Sequence, residues 1–212
     1  MSVINSFFEK KDIREFIFSS NCWGEFTSKI NSQTDKVKGN AFELLCMCYL
    51  KNDDFYSSIF KNVFHESEVD YELKVEKLKL AKKDIGVDLI CEDYDGGYWA
   101  VQCKYRQYPK TNLQLSKGIS QFFDMTGGQK IKGELYNRIL MSSANGLSPN
   151  ITNYHEDFHE ILSNCFKKLD SVDFERYKSY LRKRYSSFGK KRKLRDEPYQ
   201  QRAIDDVIAR FK

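Results

Sequence analysis

Residues 87–105 constrain the fold more than any other stretch. Two apolar runs, 87–92 and 98–105, flank the turn Asp95-Gly96-Gly97. Strand-forming residues on both sides of an Asp-Gly turn predict a β-hairpin. Polar residues interrupt its apolar faces. Gln102 and Lys104 stand two apart, so a strand points both to one face and Val101 and Cys103 to the other. Asp88 sits among Val87, Leu89 and Ile90 on the preceding run. Burying Asp, Gln and Lys on strands this apolar is costly without partners. A divalent cation answers the cost, because a carboxylate and an amide carbonyl are oxygen ligands of the kind Mg²⁺ takes.

The flanking segments alternate between helical and strand periodicity. Residues 3–28 read as helical, with Ile4, Phe7, Phe8, Phe16 and Ile17 on apolar faces. Phe42, Leu45, Cys46, Tyr49 and Leu50 recur at helical spacing after Gly39-Asn40. Residues 62–65 read as a strand, 113–125 as a helix, 138–143 as a fourth strand, 160–162 as a short fifth and 173–185 as a helix. Helix, three strands, helix, strand is the order of an α/β sheet with helices on its faces.

Gly86-Val87-Asp88 followed by Gln102-Cys103-Lys104 resembles the PD-(D/E)xK restriction-endonuclease-like fold in its Mrr-type form, where Gln replaces the second acid. Gly39, then Phe42-Glu43, is similar to that family's first-helix motif, and residues 139–144 to the strand after its crossover helix. The resemblance spans residues 39–143 and implies a central mixed β-sheet flanked by helices, here with extra N- and C-terminal helices. It implies a metal-dependent endodeoxyribonuclease using Mg²⁺ or Mn²⁺. Carried over residue by residue, Asp88 is the main metal ligand, Gln102 the second and the Cys103 backbone carbonyl the third. Glu43 binds the metal directly or through water. Lys104 positions or deprotonates the attacking water and stabilises the pentacovalent phosphate. Asp84 is an alternative carboxylate, but the motif selects Asp88. A catalytically inactive DNA-binding domain of the same fold is the alternative function.

Net charge is +5, and its distribution matters more than its size. Residues 176–195 contain no acid. Such a block suits a polyanion or a solvated linker. Lys38, Lys183, Arg184, Lys190, Lys191, Arg192 and Lys193 are the candidate DNA contacts. Cleavage of both strands implies two active sites and hence a dimer, and residue types alone leave RNA open as a substrate.

Two further motifs stand outside the hairpin. His155-Glu156-Asp157-Phe158-His159 matches H-E-x-x-H, which on a helix binds Zn²⁺ through both His with Glu156 as base. Glu175 is a conceivable third ligand, His65 lies far upstream, and a polar loop leading into residues 160–162 is the plainer reading. Residues 194–204, centred on Pro198-Tyr199-Gln200, resemble the adenine-reading entrance of superfamily-two helicases, with Gln200 as the nucleotide contact. No G-x-x-x-x-G-K-[ST] loop follows, so the chain is expected to be part of a larger helicase- or translocase-coupled protein. The expected organisation is an N-terminal helical extension over 1–35, a nuclease domain over 36–186, and a basic linker with the start of a truncated ATPase domain over 187–212.

Six cysteines without C-x-x-C spacing read as free thiols in a reducing compartment. No apolar run is long enough for a bilayer, and the N-terminus lacks signal-peptide form. The expected location is intracellular, in a bacterial cytoplasm or in the cytoplasm or nucleus of a virus-infected cell, with no membrane partner.

Overall fold

A computed structural model describes residues 11–78, 80, 86–126, 135–153 and 158–189. Among them, five strands form one sheet in the order β1-β2-β3-β4-β5. They are β1 Phe60–His65, β2 Leu89–Asp93, β3 Tyr98–Lys104, β4 Leu135–Ser142 and β5 His159–Ile161. The first three are antiparallel, and β3, β4 and β5 run parallel, so the sheet is mixed. The hairpin is present, and β3 is the central strand. Its turn is held by Asp93, whose carboxylate accepts from the N–H groups of Asp95 (3.0 Å) and Gly97 (2.8 Å) and from Trp99 Nε1 (3.1 Å).

The α-helices are α1 Lys11–Phe18, α2 Trp23–Ile30, α3 Asp35–Asn52, α4 Asp54–Ile59, α5 Lys117–Thr126, α6 Pro149–Thr152, α7 Ser163–Phe166 and α8 Ser171–Gly189, and a π-helix spans Glu72–Lys77. The single helix expected over 3–28 is interrupted within its described part. Ser19 and Ser20 turn their hydroxyls back to the carbonyls of Glu15 and Phe16, 2.7 Å each, and Glu25 accepts from the Asn21 N–H at 2.9 Å. Such local bonds compete with helix propagation. The helix expected from 113 begins at Lys117. Leu113 instead bridges Leu147, donating to the Gly146 carbonyl and accepting from Ser148.

α3 lies against β1 and β3, and every residue from Leu44 to Leu50 is buried. On the opposite side of the sheet, Ile90, Ala100 and Leu140 join Ile119, Phe122 and Phe123 of α5, the parallel crossover between β3 and β4. The helical layer over α3 is closed by aromatic rings. Phe166 stacks on Trp23 (5.4 Å between centroids) and meets Phe42 (5.1 Å) and Tyr49 (5.6 Å).

The chain divides into two compact units, Met1–Tyr180 and Leu181–Lys212. Both N-terminal helices belong to the first. The described part of the second is the end of α8. No helix among the described residues is long and apolar enough to cross a membrane. All six cysteines are free, and Cys46, Cys48, Cys91 and Cys103 are buried.

Phe166 is the ring shared by α2, α3 and α7. Phe166→Ala should cost about 3–5 kcal/mol in urea unfolding followed by tryptophan fluorescence. A loss under about 1 kcal/mol would show that this layer unfolds separately from the sheet.

Candidate active site

The β2–β3 register pairs Leu89 with Val101, which sets Asp88 opposite Gln102. Asp88 stands one residue before β2, yet its backbone continues the ladder. Its N–H donates to the Val101 carbonyl at 2.8 Å, and its carbonyl accepts from Glu66 N–H at 2.9 Å. The Asp88 carboxylate accepts the Cys103 N–H at 2.6 Å and contacts the Gln102 amide nitrogen through the same oxygen, Oδ2. Lys104 follows on the Gln102 face, and its ammonium lies beside Gly118 at the start of α5. Glu43 reaches the group from α3, close enough to act electrostatically on Asp88. Asp88, Gln102, Lys104 and Glu43 are thus brought together from three elements. Cys103, between two of them, turns its thiol to Cys46 one helical turn beyond Glu43.

Gln102 is wholly buried, and its Oε1 finds no hydrogen-bond donor. That oxygen faces Gly86. A Cβ on Gly86 would meet Gln102 Oε1 at 2.9 Å and the Gly118 carbonyl oxygen at 2.6 Å, and Gly86 adopts φ +80°. Glycine is therefore required there by space and by backbone conformation. Gln102 Oε1 and the Gly118 carbonyl oxygen face the same point. A half-turn of the Gln102 amide would offer its NH₂ to that point and bring Oε1 to the Asp88 carboxylate. An amide oxygen beside a buried carboxylate is a pair of oxygen donors, a set that fits a divalent metal. Among the described residues, no three His, Cys, Asp or Glu side chains gather as a metal cluster. The available oxygens are two carboxylates, one amide and backbone carbonyls, a set suited to Mg²⁺ or Mn²⁺ rather than zinc.

Burial, then the Glu43 charge, pushes the Asp88 carboxyl up to about 7, while Lys104 and the bonds from Cys103 and Gln102 pull it down. Burial likewise raises the Cys46 and Cys103 thiols, which leaves them small apolar groups rather than nucleophiles.

Other expected residues divide between used and withdrawn. Lys38 is mostly buried and bonded to Asp35 (3.3 Å) and Gln107 (3.0 Å). It lines a cleft of about 400 Å³ with Asp35, Tyr105, Arg106, Gln107, Tyr108 and Thr111, starting one residue beyond Lys104. Exposed Arg106 and Tyr108 on this wall were not singled out by motif, since they follow the strand in an irregular loop. Within the basic stretch, Lys178 is buried and donates to Asn21 (3.0 Å) and Glu175 (2.8 Å). Lys183 and Arg184 lie on α8. Asp84, His155, Glu156, Lys190, Lys191, Arg192, Lys193 and Gln200 lie outside the described residues. His159 is on strand β5 with its ring against Trp99 at 5.2 Å, so it does not end a zinc-binding helix. The histidine that does reach the site is His65, whose Nε2 is 3.2 Å from Glu43 Oε2.

The mixed sheet with its α3 and α5 layers, and an acidic site at the open end of the hairpin, define a restriction-endonuclease-like α/β fold. A restriction endonuclease family of the Mrr catalytic type matches residues 51–184, and the chain belongs to that family. Glu43 and most of α3 precede the matched segment. Among solved structures, the chain is similar in fold to an "ATP-dependent Type ISP restriction-modification enzyme LlaBIII bound to DNA", with TM-score 0.50 and 23% identity. The match covers 91% of this chain and 11% of that one, so this chain spans about a tenth of that protein's length. No curated protein matches the sequence.

The raised Asp88 carboxyl makes a stability prediction with a definite sign. A carboxyl whose folded pKa lies above its unfolded value disfavours the folded state as it ionises. In EDTA the wild type should match Asp88→Asn below about pH 4 and fall behind it as pH rises to about 7, by up to about 4 kcal/mol, with a constant gap above. Paired denaturant titrations from pH 4 to 8.5 measure this. A gap independent of pH would mean that Asp88 is not held in this environment.

Proposed function

We propose that this domain is a divalent-metal-dependent endodeoxyribonuclease that hydrolyses DNA phosphodiester bonds. The observation that carries the reading is Gln102, whose buried carbonyl oxygen lacks a donor on a side chain in contact with the Asp88 carboxylate. Asp88, Gln102, Glu43 and the Cys103 carbonyl would hold Mg²⁺ or Mn²⁺. Such a cation supplies Lewis acidity toward phosphate and water. Lys104 holds its ammonium on the same face, where it orients the attacking water and offsets charge that builds on the phosphate oxygens. Glu43 supplies the negative charge that Gln102 does not. Arg106 and Lys38, on the cleft wall beyond Lys104, suit the DNA backbone leading to the site.

The reading extends to the whole protein. The similar solved structure is described as ATP-dependent and DNA-bound, and residues 194–204 resemble a helicase entrance with Gln200. Both support a nuclease module joined to a translocating ATPase, with basic residues 190–193 as the DNA-contacting linker and two modules meeting for a double-strand break.

Plasmid nicking tests the chemistry. Wild type should nick with Mg²⁺ or Mn²⁺ and stop in EDTA. Lys104→Ala should lose about 10²–10⁴-fold in rate while keeping Mn²⁺ affinity, whereas Asp88→Ala loses both. Full activity in either variant sinks the assignment. A folded wild type that binds Mn²⁺ and DNA without cutting would instead show the inactive relative.

The linker is tested by salt. Replacing Lys190, Lys191, Arg192 and Lys193 by Ala should flatten the slope of log DNA affinity against log salt by about 2–4, because each phosphate contact contributes about 0.9. Lys178→Ala should leave that slope alone, its ammonium being bonded to Asn21 and Glu175.

A further inference from the structure

Glu43 has a partner that no motif contains. His65 ends β1, opposite Leu89 of β2, and the next residue, Glu66, donates its N–H to the Asp88 carbonyl at 2.9 Å. The strand end that carries His65 is therefore tied to the backbone of the candidate metal ligand. The imidazole is buried, 6% exposed. Its Nδ1 accepts the Ser67 backbone N–H at 3.2 Å and lies 2.7 Å from the Ser67 hydroxyl. A backbone N–H can only donate, so Nδ1 keeps its lone pair and the ring proton sits on Nε2. Nε2 stands 3.2 Å from Glu43 Oε2, so the bond runs from the imidazole to the carboxylate.

We propose that His65 is a positioning residue, whose Nε2–H holds one oxygen of Glu43 and leaves the other for the divalent cation. The inference rests on the metal-dependent reading above. It assigns the role that outer hydrogen-bond partners play around metal ligands, that of orienting a ligand before the cation arrives. His65 also caps a turn: its Nδ1 accepts from Ser67, and Glu68 accepts the His65 backbone N–H at 3.0 Å. The two tasks use different atoms. The cap needs Nδ1, and the grip on Glu43 needs Nε2, so they separate by substitution. An asparagine amide reaches about as far as Nδ1 and serves the cap alone. A glutamine amide reaches about as far as Nε2 and serves Glu43 alone.

The experiment is Mn²⁺ titration of the full chain by calorimetry without DNA, on wild type, His65→Gln, His65→Asn and Asp88→Ala, with thermal melting as the check of folding. His65→Gln should stay within about threefold of wild type, and His65→Asn should bind about 10–100-fold more weakly. If capping were the whole role, the order would reverse. A folded His65→Asn with wild-type affinity overturns the inference but leaves the metal site standing. A wild type that binds Mn²⁺ no better than Asp88→Ala overturns the metal reading, and this inference with it. Should the Asn variant not fold, nitrogen NMR of the wild-type imidazole decides, since a neutral ring with its proton on Nδ1 would leave Nε2 nothing to donate.

Discussion

The hydrogen bond from the Cys103 amide to the Asp88 carboxylate depends on the register between β2 and β3, and so does everything else at the site. A slip of one residue would send every side chain of a strand to the opposite face. Gln102 and Lys104 would then lie under α3, and Cys103 would face α5. Two features oppose a slip. Asp93 locks the turn through the N–H groups of Asp95 and Gly97 and the Trp99 indole. Apolar residues on both faces, Val101 and Cys103 on one and Ala100 on the other, are matched to the helices they meet. The turn and the core thus fix where the charges go.

Those charges are poorly balanced by themselves. Asp88 and Glu43 set two carboxyl groups against the one ammonium of Lys104, in a place where burial already penalises ionisation of Asp88. A third acid at position 102 would add repulsion to a site of low dielectric, whereas Gln places an oxygen there without a charge. In the proposed site a dication would offset both carboxylates. Glu43, whose charge raises the Asp88 carboxyl, meets the His65 imidazole at 3.2 Å.

Local patterns made the hairpin and the Asp88, Gln102 and Lys104 set legible, because alternation on a strand and a Gly-rich turn are properties of neighbours in sequence. Glu43 was legible only through family resemblance. α3 is apolar nearly all round, so periodicity does not tell which side meets the sheet. His65 was not legible, since only the packing of α3 against β1 brings it across 22 residues to Glu43. The break between α1 and α2 was written in Ser19, Ser20 and Asn21, three polar residues that an apolar count passes over. Lys178 shows the opposite error. It was read as part of a basic run suited to a polyanion or a solvated linker, but on α8 it lies beside Phe174 and Tyr177, facing the core. His159 likewise fits a motif by spacing and fails it by secondary structure, since i, i+4 neighbours share a face on a helix and not on a strand.

The glycine that opens Gly86-Val87-Asp88 has a reason beyond the turn it makes. At φ +80°, with the Gly118 carbonyl 2.6 Å from where a Cβ would stand, it lets the start of α5 approach the backbone leading into β2. Gly118 faces the stem of Lys104 in turn, with Nζ 3.7 Å from where its own Cβ would be. Two missing side chains therefore bring two backbones close around one lysine. Among the described residues Lys104 has no hydrogen-bonded side-chain partner, although its charge reaches the Asp88 carboxyl. A lysine restrained in this way keeps its donors for whatever enters the site. In the proposed function, a lysine already bonded to a side chain would have to give up that bond before meeting a phosphate.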